Sequence, residues 1–443
     1  MSRPKYFRIA VLVAAALAAS GCGVFKKGKA ATPVLGQRIP VLTGEGDVLV
    51  DPATTALPMS LPAALPNTSW AQSGGNATKS MGQVALGSSL ARAFTVQAGR
   101  GSSLTARLAS APIVANGRVY AIDTLGTVRA FDAQTGAQVW SSQTPVEKGN
   151  QAELYGGGLA YDQGHIYATN GLGFVSALDE RNGGIIWKVR PGGPLRGAPS
   201  VASGSIYVVS QDNQIYSLKE DDGSTNWSQP ASLEVAGVFG SASPAVGQGT
   251  VVAGFSSGEL NAYRYENGRQ VWADSLQRTS IRTSVSTLSD IDADPVIDSG
   301  QVIAVGAGGR MVAMDLITGQ RQWEINIAGI ATPWVAGDWI FVVTDDAKLL
   351  CVYRQNGHIR WITQLPQFEK PKSKKGLIDY SGPILAGGRL IVTGSNGALV
   401  FVDPTTGQFQ SQTSIGAPVS LPPVVANSSL YVLDDRGRLT AFR

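Results

Sequence analysis

Six times this chain runs through a tight turn ending in glycine to a tryptophan four residues later. The clearest copies are Ala130-Phe131-Asp132-Ala133-Gln134-Thr135-Gly136 with Trp140, and Ala313-Met314-Asp315-Leu316-Ile317-Thr318-Gly319 with Trp323. Looser copies place Gly183 before Trp187, Gly223 before Trp227, Gly268 before Trp272 and Gly357 before Trp361. The tryptophans are spaced by 47, 40, 45, 51 and 38 residues. A repeat of about 40–50 residues built from strand pairs predicts propeller blades rather than a helical solenoid.

A second mark keeps step with the first. A Pro-led apolar strand, a Gly- or Asn-type turn and another strand begin at Pro112, Leu159 (where the proline is missing), Pro199, Pro244, Pro295, Pro333, Pro383 and Pro423. Proline suits the first residue of a strand, where no ladder hydrogen bond is donated. The expectation is an all-β chain: an eight-bladed β-propeller of four-stranded antiparallel blades. After Pro423 there is room for only three strands, and Trp70 stands alone upstream in Asn67-Thr68-Ser69-Trp70-Ala71-Gln72. An N-terminal strand carrying Trp70 is therefore expected to complete the last blade, so that no large sheet edge is left open. In the seventh copy Ser411 stands where the tryptophan belongs. Trp70, Trp140, Trp187, Trp227, Trp272, Trp323 and Trp361 are read as rings packed between neighbouring blades rather than as ligand platforms. Trp334 and Trp339 fall outside the repeat and read as core or rim residues.

The front of the chain reads as an export signal. Arg3, Lys5 and Arg8 precede an apolar run, Ile9 to Ala19, too short for a typical spanning helix. Ala19-Ser20-Gly21-Cys22 resembles the bacterial lipobox, with Ala19 where Leu is preferred. That resemblance implies cleavage after residue 21 and acylation of Cys22, with Gly23 compatible with the outer membrane. Residues 22–66 read as the acylated cysteine and a flexible tether, and 67–443 as the propeller; Val41-Leu42 and Val48-Leu49-Val50 are segments able to dock on the ring. Of the +4 formal charge, three basic residues lie in the first 21 positions, which hold no acid, so the remainder carries only +1. No field suited to nucleic acid survives. Cys351, on a strand C, has no cysteine partner once Cys22 is acylated and reads as a buried inert thiol.

The Ala-x-Asp-x-x-Thr-Gly-x-x-x-Trp repeat resembles that of pyrroloquinoline-quinone propellers, among them eight-bladed dehydrogenases. The adjacent Cys pair and the haem-binding Cys motif of many such enzymes are missing here. The turn residues Asp132, Asp179, Asp315 and Asp403 read as hairpin organisers. Asp290-Ile291-Asp292-Ala293-Asp294 begins like a calcium loop, but Pro295 and Gln301 occupy the positions of its essential Gly and Glu. His165 and His358 form no ligand spacing. The run Lys370-Pro371-Lys372-Ser373-Lys374-Lys375 reads as a solvated basic loop before blade seven, or as a contact for anionic headgroups or an acidic partner. No cofactor is expected and the chain is not read as an enzyme; the alternative is a periplasmic quinoprotein dehydrogenase.

An acylated, tethered propeller without catalytic additions resembles the BamB family, lipoproteins of the outer-membrane β-barrel assembly machinery. The most specific likeness is Leu288-Ser289-Asp290-Ile291-Asp292-Ala293-Asp294-Pro295, matching the family's Leu-Ser-Asp-x-Asp-x-x-Pro. The resemblance implies a scaffold on the periplasmic side of the outer membrane. It would bind the POTRA domains of the central barrel subunit and assist unfolded outer-membrane protein precursors. By position it carries an interface onto Leu288, Asp290 and Asp292, and onto Val238, Phe239 and Gly240 of the preceding blade, where the family's Arg is absent. Capping of the turn into strand A is the structural alternative for the two aspartates.

Overall fold

The computed structural model describes residues 48–147, 149–234, 240, 242–277 and 289–443. Among them are eight four-stranded antiparallel sheets: blade 1 over 113–143, blade 2 over 159–189, blade 3 over 200–230, blade 4 over 245–275, blade 5 over 296–325, blade 6 over 334–364 and blade 7 over 380–414. The eighth combines Val424–Ala426, Ser429–Leu433 and Arg438–Phe442 with Arg92–Gln97 as its outer strand. In blades 1 to 7 the four strands pair in chain order, A to D, and strands A of these successive blades touch one another around the axis. Because neighbouring strands are antiparallel, the D-to-A connections and B–C turns share one face of the ring.

The tryptophans do what a repeated large ring should do. Six Nε1 groups each donate to a carbonyl in the C–D turn of the next blade, at 2.7–3.0 Å: Trp140 to Glu180, Trp187 to Glu220, Trp227 to Tyr265, Trp272 to Leu316, Trp323 to Arg354 and Trp361 to Pro404. The turn glycine lies against the ring, and a Cβ on Gly319 would stand 2.4 Å from Trp272 Cγ. The turn itself is organised by its aspartate: Asp132 Oδ1 accepts from the Gln134 and Thr135 amides and from Thr135 Oγ1. Cys351 is buried, and burial pushes its thiol upward.

The role expected of Trp70 is corrected. The strand paired with Arg438–Phe442 is Arg92–Gln97, and its Phe94 lies against Gly136 of blade 1 as the tryptophans lie against their glycines. Trp70 instead lies inside the ring, bridged to Val114 and stacked on Trp334 with centroids 5.9 Å apart. Ser411 also finds its reason. Strands C and D of blade 8 are not consecutive in sequence, so that blade has no C–D turn to receive a ring from blade 7.

Residues 67–87 follow the inner ring as a plug. Moving along the segment, hydrogen bonds reach blade 8 (Asn67 to Val425 and Asn427), blade 1 (Trp70 with Val114), blade 2 (Tyr161 amide to Ala71 carbonyl) and blade 3 (Gln72 side chain with Val201). They continue to blade 4 (Val246 amide to Ala77), blade 5 (Ile297 amide to Thr78), blade 6 (Trp334 Nε1 to Gly82) and blade 7 (Val84 amide to Leu385). Strand A is an edge strand whose outward groups would otherwise face the axis unpaired, and the plug satisfies them. Upstream, Val50 bridges to Ile359 of blade 6. Asp51 caps the short helix Pro52–Ala56 and meets His358 Nδ1 at 3.0 Å. The segment from Val48 to Pro66 is thus packed against the ring rather than free of it.

Candidate docking face and axial cavity

The D-to-A connections converge on a cavity of about 310 Å³ at the axis, walled by the starts of strands A and by plug residues Trp70, Gln72, Ser73, Gly74 and Lys79. Its charged groups are three acids, Asp292, Asp294 and Asp379, and two bases, Lys79 and Arg107. Of the acidic segment singled out in the sequence, Asp292 and Asp294, but not Asp290, line this concave site. Gly240 meets it there: a Cβ on Gly240 would stand 3.4 Å from Asp292 Oδ1. Two connections 52 residues apart in sequence are thereby brought together. Val238, Phe239 and Leu288 lie outside the described residues, as does Cys22.

The three aspartates of the segment divide their work. Asp294 is structural: its carboxylate accepts from Ser73 Oγ of the plug at 2.5 Å and from the Ser243 amide at 2.7 Å, while its own amide donates to Thr332 Oγ1 at 3.0 Å. It ties together the plug and the entries to blades 4 and 6. Asp290 is only 1% exposed, and its carbonyl accepts from the Ala307 amide. Asp292 differs from both. Its Oδ2 is buried yet accepts no hydrogen bond from any described residue, while Oδ1 faces Gly240. Burial, reinforced by the charges of Asp290 and Asp345, pushes its carboxyl up to about 7. A buried carboxylate of this kind is stabilised by an arriving cation.

Lys79 is the counter-charge. It is fully buried in the plug and donates from Nζ to Ser200 Oγ at 2.8 Å. Burial lowers its ammonium to about 8, opposed by the charge of Asp294. Sequence reasoning missed Lys79, because an isolated lysine in a Gly/Ser-rich stretch carries no periodic signal, and named Asp294 only as part of the acidic run. The Asn76 side chain, bonded to Ser80 on both its oxygen and nitrogen, is the local turn chemistry that presents Lys79. Among the described residues no group of three or more His, Cys, Asp or Glu side chains is arranged to hold a metal ion.

Several large apolar side chains stand exposed on the connections of this face: Leu104, Leu233, Ile330 and Leu377.

A sequence profile of the family described as "Outer membrane protein assembly factor BamB" matches residues 101–153 and 124–363. The outer membrane protein assembly factor BamB of Yersinia pestis is 27% identical over 331 residues, covering 73% of this chain and 81% of that protein. The crystal structure of BamB from Moraxella catarrhalis superposes with a TM-score of 0.67 at 18% identity, covering 80% of this chain and all of that one. Quinohemoprotein alcohol dehydrogenase from Comamonas testosteroni superposes at 0.64 with 13% identity, over 86% and 81%, a likeness of fold alone. With its blade-to-blade tryptophans, its acidic connection into blade 5 and a family match spanning more than half its length, the chain belongs to the BamB family of outer membrane protein assembly factors.

Proposed function

We propose that this protein is a non-catalytic scaffold of the outer-membrane protein assembly machinery. The family match over residues 101–153 and 124–363 is the observation that carries the reading. In it the protein is held at the outer membrane through acylated Cys22, facing the periplasm, and assists the folding and insertion of unfolded β-barrel precursors. Its partner is the central barrel subunit, engaged through the POTRA domains at the face bearing Asp290, Asp292 and Gly240. Asp292 supports this assignment because its Oδ2 is buried without a hydrogen-bond partner among the described residues, at a concave, partly apolar site. A cationic side chain inserted there would both neutralise the charge and bury apolar surface. Asp290 contributes through its charge on Asp292, being itself nearly inaccessible.

The test is a titration of the soluble POTRA region with the protein lacking its lipid anchor. Wild type is expected to bind saturably, and Asp292→Asn to bind about tenfold more weakly with a melting temperature no lower than that of wild type. Equal affinity for both would remove Asp292 from the interface. Saturable quinone binding in calcium, with dye-linked alcohol oxidation, would instead make the protein an enzyme.

A further inference from the structure

One element of the docking face belongs to no blade. Between blades 6 and 7 the chain forms a separate hairpin, Phe368–Lys370 paired with Lys375–Leu377 and closed by the turn Pro371–Ser373. All four of its lysines, Lys370, Lys372, Lys374 and Lys375, are exposed, and Leu377 is 60% exposed. Glu369 is the one acid on the hairpin. None of the four lysines is in an ion pair among the described residues.

The hairpin is held at the cavity rim. Its base is closed by the Ile378 amide donating to the Gln367 carbonyl at 2.9 Å, and Tyr380 Oη donates to the Pro366 carbonyl at 2.9 Å. Gln367 Nε2 also donates to the Asp346 carbonyl in the B–C turn of blade 6, at 2.8 Å. Asp379 and Tyr380, directly after the hairpin, line the cavity. The hairpin, with four lysines to one acid, therefore stands beside an axial cavity whose charged lining is three acids to two bases.

We propose that this hairpin is a second contact arm of the docking face, taking an acidic patch of the same partner domain whose cationic element enters the axial cavity. The proposal rests on the docking reading above. Two opposite charges on one surface fix the orientation of a partner, because a rotated complex places like charges together. Leu377 adds an exposed apolar contact beside the lysines. A membrane contact is the less favoured occupant. The N-terminal segment reaches blade 6 at Ile359, where strand D begins, whereas the hairpin leaves from the other end of that strand, after Gln364.

The experiment uses the full chain without its lipid anchor and the soluble POTRA region as probe. Three forms are compared: wild type, a form with all four hairpin lysines changed to Glu, and Leu377→Ser. The charge-reversed form is expected to bind at least about tenfold more weakly at low ionic strength, with the difference shrinking in high salt. Leu377→Ser should weaken binding severalfold at all salt concentrations. No binding by wild type would defeat the docking reading itself. Wild-type binding with the charge-reversed form within about twofold of it at low salt would overturn the hairpin proposal alone. Loss of sedimentation with phosphatidylglycerol–phosphatidylcholine vesicles, with POTRA affinity intact, would overturn it in favour of a lipid surface. The hairpin lies outside every blade, so a melting temperature equal to wild type is the expected control.

Discussion

Asp292 shows how one carboxylate acquires its character from chain segments far away. Its position in Asp290-Ile291-Asp292 is plain in the sequence, but its burial and the charge of Asp345 arise only when blade 6 closes beside blade 5. The folded protein holds this carboxyl at about 7, above its ordinary value of 3.8. The protonated form is thus favoured by folding. Its contribution to stability is full below about pH 4 and is lost as pH rises through about 7. Asp292→Asn is expected to raise stability at pH 8 by about 1–3 kcal/mol and to flatten the decline between pH 5 and 8, as read by chemical denaturation. An unchanged profile would mean that the carboxylate is well solvated. Partner binding carries the opposite sign: a cation favours the ionised form, so affinity should rise with pH up to about 7.

At the scale of the blade, the joint is a tryptophan on one sheet and a left-handed glycine on the next. Gly319 (φ +69) has Trp272 against it, whereas Gly300 (φ +79) has no atom within 4 Å of where a Cβ would sit. Gly300→Ala carries only the backbone penalty, about 1 kcal/mol. Gly319→Ala must also displace the Trp272 ring and is expected to cost about 1–3 kcal/mol more, measured by denaturant midpoints at constant m-value. Ser411→Trp, which restores the repeat on paper, is expected to leave the melting temperature unchanged, because blade 8 offers no C–D turn to receive the ring. Stabilisation by several degrees would show that a receiving surface exists. The six joints were legible because the Trp and Gly of each copy lie four residues apart, at fixed places in one hairpin. Phe94 was not: without the Asp-Thr-Gly turn before it, nothing local distinguishes it from any other strand phenylalanine.

Over the whole molecule, stability depends on a segment that is no part of any blade. The plug accepts hydrogen bonds from the amides of Val114, Tyr161, Val201, Val246 and Ile297, one in each of five blades. Replacing residues 67–87 by a Gly/Ser linker of equal length is expected to speed exchange of these amides by about 100-fold or more while strands B and C stay protected. Lys79→Met is the smaller perturbation. It leaves Asp294 buried without its counter-charge and is expected to lower stability by about 2–4 kcal/mol. Unchanged protection in the linker form would mean that the ring closes on its own.

What the sequence determined by itself was everything carried by short-range, repeated spacing: the blade count, the turn aspartates, the tryptophan joints and the acidic entry to blade 5. Hairpins are local, and a pattern repeated every 40–50 residues leaves little freedom in how each is read. The tertiary structure alone decided what depends on contacts between distant segments. It made Arg92–Gln97 rather than the Trp70 segment the closing strand, turned 67–87 into the plug, and buried Lys79 near Asp294. It also placed a lysine hairpin on the rim of the axial cavity. The physical reason is that an edge strand can be satisfied by any complementary backbone, so the partner is selected by closure of the ring rather than by local composition.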